Sequence, residues 1–183
     1  MIKVIDNLVP KSLADQLEEG FTHDDTEWNL QKGCGGDYGV QFTGDQIKDT
    51  HQMYHSLVSD DQPKSTLTSL SLCVMFFLDE KFGIFPKELS RVKANLLFPL
   101  IDGQGTYHPP HRDKEFDNYM SLVYYVNDSD GPTRFFDMNG NVIQEVLPKK
   151  GRAVLFPSTF IHASSCPTNF DKRIVINYVF QVS

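Results

Sequence analysis

The chain has 183 residues and a formal charge of −7, so its surface is acidic and lacks the clustered Lys and Arg that tight binding to nucleic acid or anionic lipid needs. That length fits one domain with a substantial core and excludes two enzyme domains. Cys34, Cys73 and Cys166 are odd in number and lack CxxC spacing, which argues against a disulfide framework or a structural zinc site and for a reducing, cytoplasmic setting.

The opening MIKVIDNLVP has neither the basic nor the apolar segment of a signal peptide. The longest apolar run, Cys73 to Leu78, is far short of a bilayer span, so no membrane association is expected. Pro10 to Gly20 reads as a short helix ending on glycine, and the polar stretch Asp45 to Val58 as a second. Between them GCGGDYG, 33–39, reads as an irregular loop. Leu67, Leu70, Val74, Phe77, Leu78 and Lys81 recur at threes and fours, which predicts an amphipathic support helix. Residues 1–90 are thus expected to form a mainly helical support region.

From Arg91 the period changes to that of strands. RVKANLLFPL, YMSLVYYVN, PTRFFDM, NVIQEVL, RAVLFP and KRIVINYVFQV are β-branched or aromatic runs separated by turn residues. Asn139-Gly140 predicts a tight hairpin with a type I′ turn. Helices followed by a run of short strands predict an α+β protein, one domain over 1–183, whose core at 91–183 is a sandwich or jelly roll.

Within HPPHRD, His111 and Asp113 stand two apart. In a strand they share a face, so an imidazole and a carboxylate can meet one ion while Arg112 points away. The tripeptide alone is weak evidence, because a second copy occurs at His23-Asp24-Asp25. Context separates the two. His23 lies between helical segments and reads as part of a solvated turn, whereas His111 enters the β-rich half and is followed by His162 after 48 residues beyond Asp113. Two His and one carboxylate can cap one face of an octahedral ion and leave three positions open, the facial triad of non-haem Fe(II) oxygenases. With ten residues between, His162 is followed by Arg173, placed inward with Val175 and Asn177 by strand alternation, while Lys172, Ile174 and Ile176 point the other way. A buried arginine calls for an anion.

These residues carry a resemblance. H-x-D, a distal His and an Arg beyond it resemble the 2-oxoglutarate- and Fe(II)-dependent dioxygenases. KGRAVLFPSTFIHASSCP resembles the distal-histidine segment of prolyl-4-hydroxylase-like members, and SLVYYVN their strand after H-x-D. GPTRF is similar to a G-x-T-x-F turn and strand of small, often phage-encoded members, and VIDNLVPKSLADQLEEGF to the family's N-terminal strand and helix. The resemblance covers residues 91–183 well and the first half loosely. It implies a double-stranded β-helix (jelly-roll) core with N-terminal supporting helices, Fe(II) on His111, Asp113 and His162, and 2-oxoglutarate held through its distal carboxylate by Arg173. It further implies that Tyr125 donates a hydrogen bond to that carboxylate, that O2 is consumed, and that ascorbate is admitted as a reductant. The chain departs from the family at Val175, where some members have a hydroxyl residue, and before H-x-D, where the tyrosine of prolyl hydroxylases is either Phe98 here or displaced to Tyr107.

The implied reaction is hydroxylation of a C–H bond coupled to oxidative decarboxylation of 2-oxoglutarate, on a peptidyl proline or another amino-acid side chain. A small molecule, nucleobase or glycan stays open as substrate, as does a catalytically silent jelly-roll binding domain. Asp113 argues against halogenation, which in relatives needs a small residue in place of the carboxylate. His108, at odd spacing from His111, is expected at a loop or rim, and Pro109 and Pro110 to stiffen the entry to the metal strand. Thr133 is a candidate for the pocket, Arg134 for a solvated strand position, and Ser121 and Asn177 stay unassigned.

Overall fold

The computed structural model describes residues 1–32, 42–43, 51–100 and 107–182. The glycine-rich stretch 33–39, with Cys34, and the first part of the expected Asp45–Val58 helix lie outside the described residues.

In chain order the elements are β1 (Lys3–Ile5), α1 (Lys11–Thr22), β2 (Asn29–Gln31), β3 (Gln52–Ser59), β4 (Gln62–Pro63), α2 (Thr68–Leu72), a 3-10 turn (Cys73–Phe76) and α3 (Phe77–Phe82). Then follow β5 (Glu88–Leu97), β6 (Tyr119–Tyr125), β7 (Thr133–Phe136), β8 (Val142–Val146), β9 (Ala153–Pro157), β10 (His162–Ser164) and β11 (Arg173–Gln181). This is a mixed α+β fold of two antiparallel sheets. The larger runs β1-β9-β6-β11-β5-β3-β2, with β4 beside β3, and the smaller runs β10-β7-β8.

The expected Pro10–Gly20 helix forms as α1, starting one residue later and running on past the glycine to Thr22. Pro10 suits its N-terminus because its missing N–H would have no helical partner, while its carbonyl accepts from the amides of Leu13 and Ala14. Ala14, Leu17 and Phe21 form the buried stripe. The stretch 67–81 also packs its apolar face inward, Val74 and Leu78 being fully buried, but as α2 and α3 joined by the 3-10 turn. Thr68, Ser69 and Ser71 lie within α2, and the winding tightens after them, at Cys73–Phe76. It stops at Gly83, whose φ of 65° is the left-handed cap that glycine takes without strain.

The Asp45–Val58 helix is corrected where it is described: Gln52–Ser59 is a strand, β3, registered along β5 from Met53 opposite Leu96 to Val58 opposite Val92, with a bulge between. Pairing to a long neighbour overrides the weak local preference of QMYHSLVS. The first half is therefore not merely a helical support. Its strands β1, β2 and β3 complete the larger sheet. The Asn139-Gly140 hairpin between β7 and β8 exists, but not with a type I′ turn. Gly140 has a positive φ of 83° and Asn139 does not. The Asp137 carboxylate accepts from the amides of Asn139 and Asn141, and its carbonyl from Gly140 N. That side chain holds the turn, so only the glycine needs left-handed backbone.

Alternation along β11 sorts the interior. Ile174, Ile176 and Tyr178 join Leu122, Tyr124, Val92 and Ala94 in a core beneath Leu17, Phe21, Val74 and Leu78 of the helices. Each such side chain, fully buried, stabilises the fold by about 1.5–3 kcal/mol. Val175 joins Val123, Tyr125, Val154, Phe156 and Phe135 in a second core between the two sheets. The face of the larger sheet that carries Val175 also carries Arg173 and Asn177, and it is there that a polar cavity opens.

Candidate active site

His111 and His162 are brought together by backbone. They form an isolated antiparallel bridge, His111 N donating to His162 O at 2.9 Å and His162 N to His111 O at 3.0 Å. Their rings lie 4.5 Å apart. Asp113 is tied by its amide to the Ser158 carbonyl at the end of β9, which carries its carboxylate to 3.7 Å from His162 Nε2. One candidate ligand atom from each of the three lies within 4.8 Å of the others. The decoy His23 remains on the surface, with its side chain 60% exposed.

The surroundings fix the protonation that a metal requires. Burial pushes the Asp113 carboxyl up, but His162, Arg91, His111 and the Ser121 hydroxyl together hold it well below the usual carboxylate range. It accepts from Arg91 Nη2 at 2.7 Å, from Ser121 Oγ at 2.7 Å and from Asn177 Nδ2 at 3.2 Å. Burial, reinforced by His162 and opposed by Asp113, lowers His111 to about 3, so the ring is neutral at neutral pH. His162 Nδ1 faces the Phe160 carbonyl at 3.0 Å, which makes Nδ1 the protonated nitrogen and leaves Nε2 as the lone-pair donor. An ionised carboxylate, a neutral His111 ring and a His162 ring oriented by the Phe160 carbonyl make a donor set suited to a divalent metal.

Arg173, 1% exposed, opens β11 in the same cavity. Its Nε donates to Gly131 O at 2.8 Å and its Nη2 to Thr133 Oγ1 at 2.9 Å, while Nη1 is buried with no partner. Among the described residues no acid meets it, and burial lowers its pKa. Thr133 lines the cavity, as its strand position suggested. Tyr125 is not among the residues lining it. Its hydroxyl donates to Thr133 Oγ1 at 2.7 Å and lies 3.3 Å from Val146 O. With both lone pairs of Thr133 Oγ1 taken by Arg173 and Tyr125, its own O–H is left to donate toward the cavity. Among the described residues, buried polar atoms without partners gather here: Arg91 Nε, Asn95 Oδ1, His111 Nδ1, Arg173 Nη1 and Asn177 Oδ1 all belong to lining residues. Native interiors leave few such atoms, and a cluster of them marks where a ligand's atoms belong.

Three expectations change. His108 is not at a rim but 1% exposed, with Nε2 3.3 Å from Cys166 Sγ, because it lies in the buried run 107–110 rather than on an edge. Arg134 is not solvated. It pairs with Glu145 at 2.6 Å across the β7–β8 hairpin and donates to Ser165. Neither Phe98 nor Tyr107 lines the cavity: Phe98 is 52% exposed, and Tyr107 packs on Phe136 with its hydroxyl on the Thr43 carbonyl. Arg91, missed in the sequence, stands with Lys93 and Asn95 on the cavity side of β5. Their alternation was visible in RVKAN, but which face they take follows from pairing with β11.

Residues 96–181 match the family model described as the 2OG-Fe(II) oxygenase superfamily. Over those residues the chain carries the sequence pattern of that superfamily. Its fold is prolyl-4-hydroxylase-like. It is similar to a prolyl-4-hydroxylase of Pseudomonas putida at 16% identity and TM-score 0.57, over 98% of this chain and 91% of that one. It is similar also to the viral collagen prolyl hydroxylase of Paramecium Bursaria Chlorella virus-1, at 15% identity and TM-score 0.55, over 100% and 96%. A third likeness is to the carbocyclase SnoK of nogalamycin biosynthesis, at 10% identity and TM-score 0.66, over 98% and 79%. No curated protein matches the chain. The two-His, one-carboxylate cluster together with the family makes this oxygenase an enzyme of the Fe(II)- and 2-oxoglutarate-dependent class. Among the described residues no helix is long and apolar enough to cross a membrane.

Proposed function

We propose that this oxygenase hydroxylates a C–H bond of an amino-acid side chain, a peptidyl proline being the first to test, with decarboxylation of 2-oxoglutarate. His111, Asp113 and His162 would hold Fe(II), and Arg173 the distal carboxylate of 2-oxoglutarate. The observation that carries this reading is the pairing, in one cavity, of the three ligand atoms with a buried arginine that no acid among the described residues meets. Iron and 2-oxoglutarate together supply the activation of O2 that no amino-acid side chain provides.

The chain's own residues do the rest. Ser121, Asn177 and Arg91 keep Asp113 ionised and aimed. Gly131 O and Thr133 Oγ1 fix the Arg173 fork so that Nη1 is presented, and Thr133 adds its hydroxyl proton to the same carboxylate. Tyr125 acts one step back, by orienting Thr133. The described sheets support a jelly-roll barrel in a single domain over 1–183, with 91–183 as its catalytic core and 1–90 supplying helices and flanking strands. A cytoplasmic setting rests on the cysteine pattern alone.

The test is metal content and co-substrate binding. His111→Ala, Asp113→Ala and His162→Ala are each expected to lose iron and turnover, while His108→Ala and His23→Ala keep iron stoichiometry. The intact protein with Fe(II), without oxygen, should develop the weak visible charge-transfer band on adding 2-oxoglutarate and, with oxygen, release succinate. Iron retained by the His162 variant, or no band in the parent, would overturn the proposal.

A further inference from the structure

Resting on that reading, a further assignment concerns the substrate. Beyond the ligand triad and Arg173, the cavity is walled by Arg91, Lys93 and Asn95 of β5 and by Gln31 and Gln52 of β2 and β3. None of these five is acidic and none is apolar. Among the described residues Asp113 is the only acid lining the cavity, on a chain whose net charge is −7. A guanidinium at the edge of such a cavity, set against the sign of the whole protein, favours an anion beside it. The co-substrate does not answer for all of it: one of its ends is assigned to Arg173, and the other end and Asp113 would share the charge of the metal.

Arg91 is the residue left over. Its Nη2 donates to Asp113 Oδ1 at 2.7 Å, but its Nε is buried without a partner. Its side chain is 40% exposed, which puts the guanidinium at the mouth of the cavity, where a substrate enters. Asn95, four residues along the same face, holds Oδ1 buried with no donor. A pyrrolidine ring in an uncharged peptide satisfies neither group. We infer that Arg91 is a specificity residue that docks a carboxylate of the substrate, with Asn95 accepting from an N–H or O–H elsewhere on the same molecule. The carboxylate comes either from a free amino acid or from a peptide, through an acidic side chain or the C-terminus.

The experiment uses matched pairs on the protein loaded with Fe(II) and 2-oxoglutarate. One arm compares each proteinogenic amino acid with its carboxamide. The other compares short proline-containing peptides carrying Glu or Gln, each ending as acid or amide. Binding is read without oxygen from perturbation of the visible band, and hydroxylation with oxygen from product mass. Acids are expected to bind roughly ten- to a hundredfold more tightly than their amides, the worth of one hydrogen bond to a charged group. The arm that responds names the source. Arg91→Gln should bring each pair together, and Arg91→Lys should keep part of the gap. Asn95→Asp, which adds a negative charge without touching Asp113, should weaken acids and spare amides. Iron content is measured in each variant, since Arg91 touches a ligand. Amides that bind as well as acids, or a panel in which no acid perturbs the band, overturn the inference. A parent that forms no band with 2-oxoglutarate overturns instead the reading on which it rests.

Discussion

Replacing Arg173 by methionine should separate stability from function in opposite directions. The side chain is 1% exposed and brings a charge into the interior without a counter-ion, which costs several kcal/mol of desolvation in the ligand-free protein. Its two hydrogen bonds, to Gly131 O at 2.8 Å and Thr133 Oγ1 at 2.9 Å, offset part of that cost. Methionine removes the charge and fills much of the volume, leaving two acceptors short of one donor each, at about 1–3 kcal/mol apiece. The terms nearly cancel, so the ligand-free variant should melt close to the parent or slightly above it. Binding of 2-oxoglutarate tells the reverse story. Loss of one partner of a desolvated Arg–carboxylate pair costs about 3–5 kcal/mol, or roughly two to four decades in Kd. The assay is a titration of the visible band of the Fe(II) protein without oxygen, beside thermal melts with and without co-substrate. At a hundredfold excess over its Kd, 2-oxoglutarate should stabilise the parent by about 2.7 kcal/mol and the variant hardly at all. Lysine should rescue only partly, because a point charge cannot hold Gly131, Thr133 and a carboxylate together. Lys172→Ala, on the opposite face, should be silent. The reasoning is refuted if Arg173→Met titrates within a few-fold of the parent, or if it melts far lower while keeping its affinity.

Three further outcomes are expected. Thr133→Val should raise the KM for 2-oxoglutarate more than Tyr125→Phe does, since Thr133 touches both Arg173 and the cavity while Tyr125 acts through it; equal effects would restore direct contact for Tyr125. Gly131→Ala should unfold or misplace the Arg173 anchor, because a Cβ there would stand 2.4 Å from Ser165 O and 2.8 Å from the Cys166 carbonyl carbon; a melting temperature and 2-oxoglutarate affinity like the parent's would exclude this clash. Burial pushes Asp130 up, but hydrogen bonds from Thr168 and Asn169 outweigh it and hold its pKa at about 2, below the unfolded value of 3.8. Its stabilising effect is therefore present above about pH 4 and lost as pH falls through 2. Asp130→Asn should lower the melting temperature at pH 7 and converge with the parent in acid; a penalty that does not vary with pH would refute the linkage.

Local pattern was enough for the strands from Arg91 onward, for the inward face of Arg173, Val175 and Asn177, and for the three metal-binding candidates, because side-chain alternation in a strand depends only on the residue's own chain and chemistry narrows to the few residue types that can do it. It was not enough for β3, whose QMYHSLVS has no strong preference until β5 lies beside it, nor for the long helix at 67–81, which tightens to a 3-10 turn at Cys73–Phe76. The displacement of Tyr125 from the carboxylate to Thr133, the burial of His108 and the arrival of Arg91 at Asp113 are likewise products of pairing between residues far apart in the chain. Asp113 illustrates the division. Its candidacy as a ligand was legible in HRD, but its ionisation is set by Arg91, Ser121, Asn177 and His162, which reach it from three strands and a bridge. An electrostatic environment is a property of distances in space, and those distances exist only once the sheets have formed.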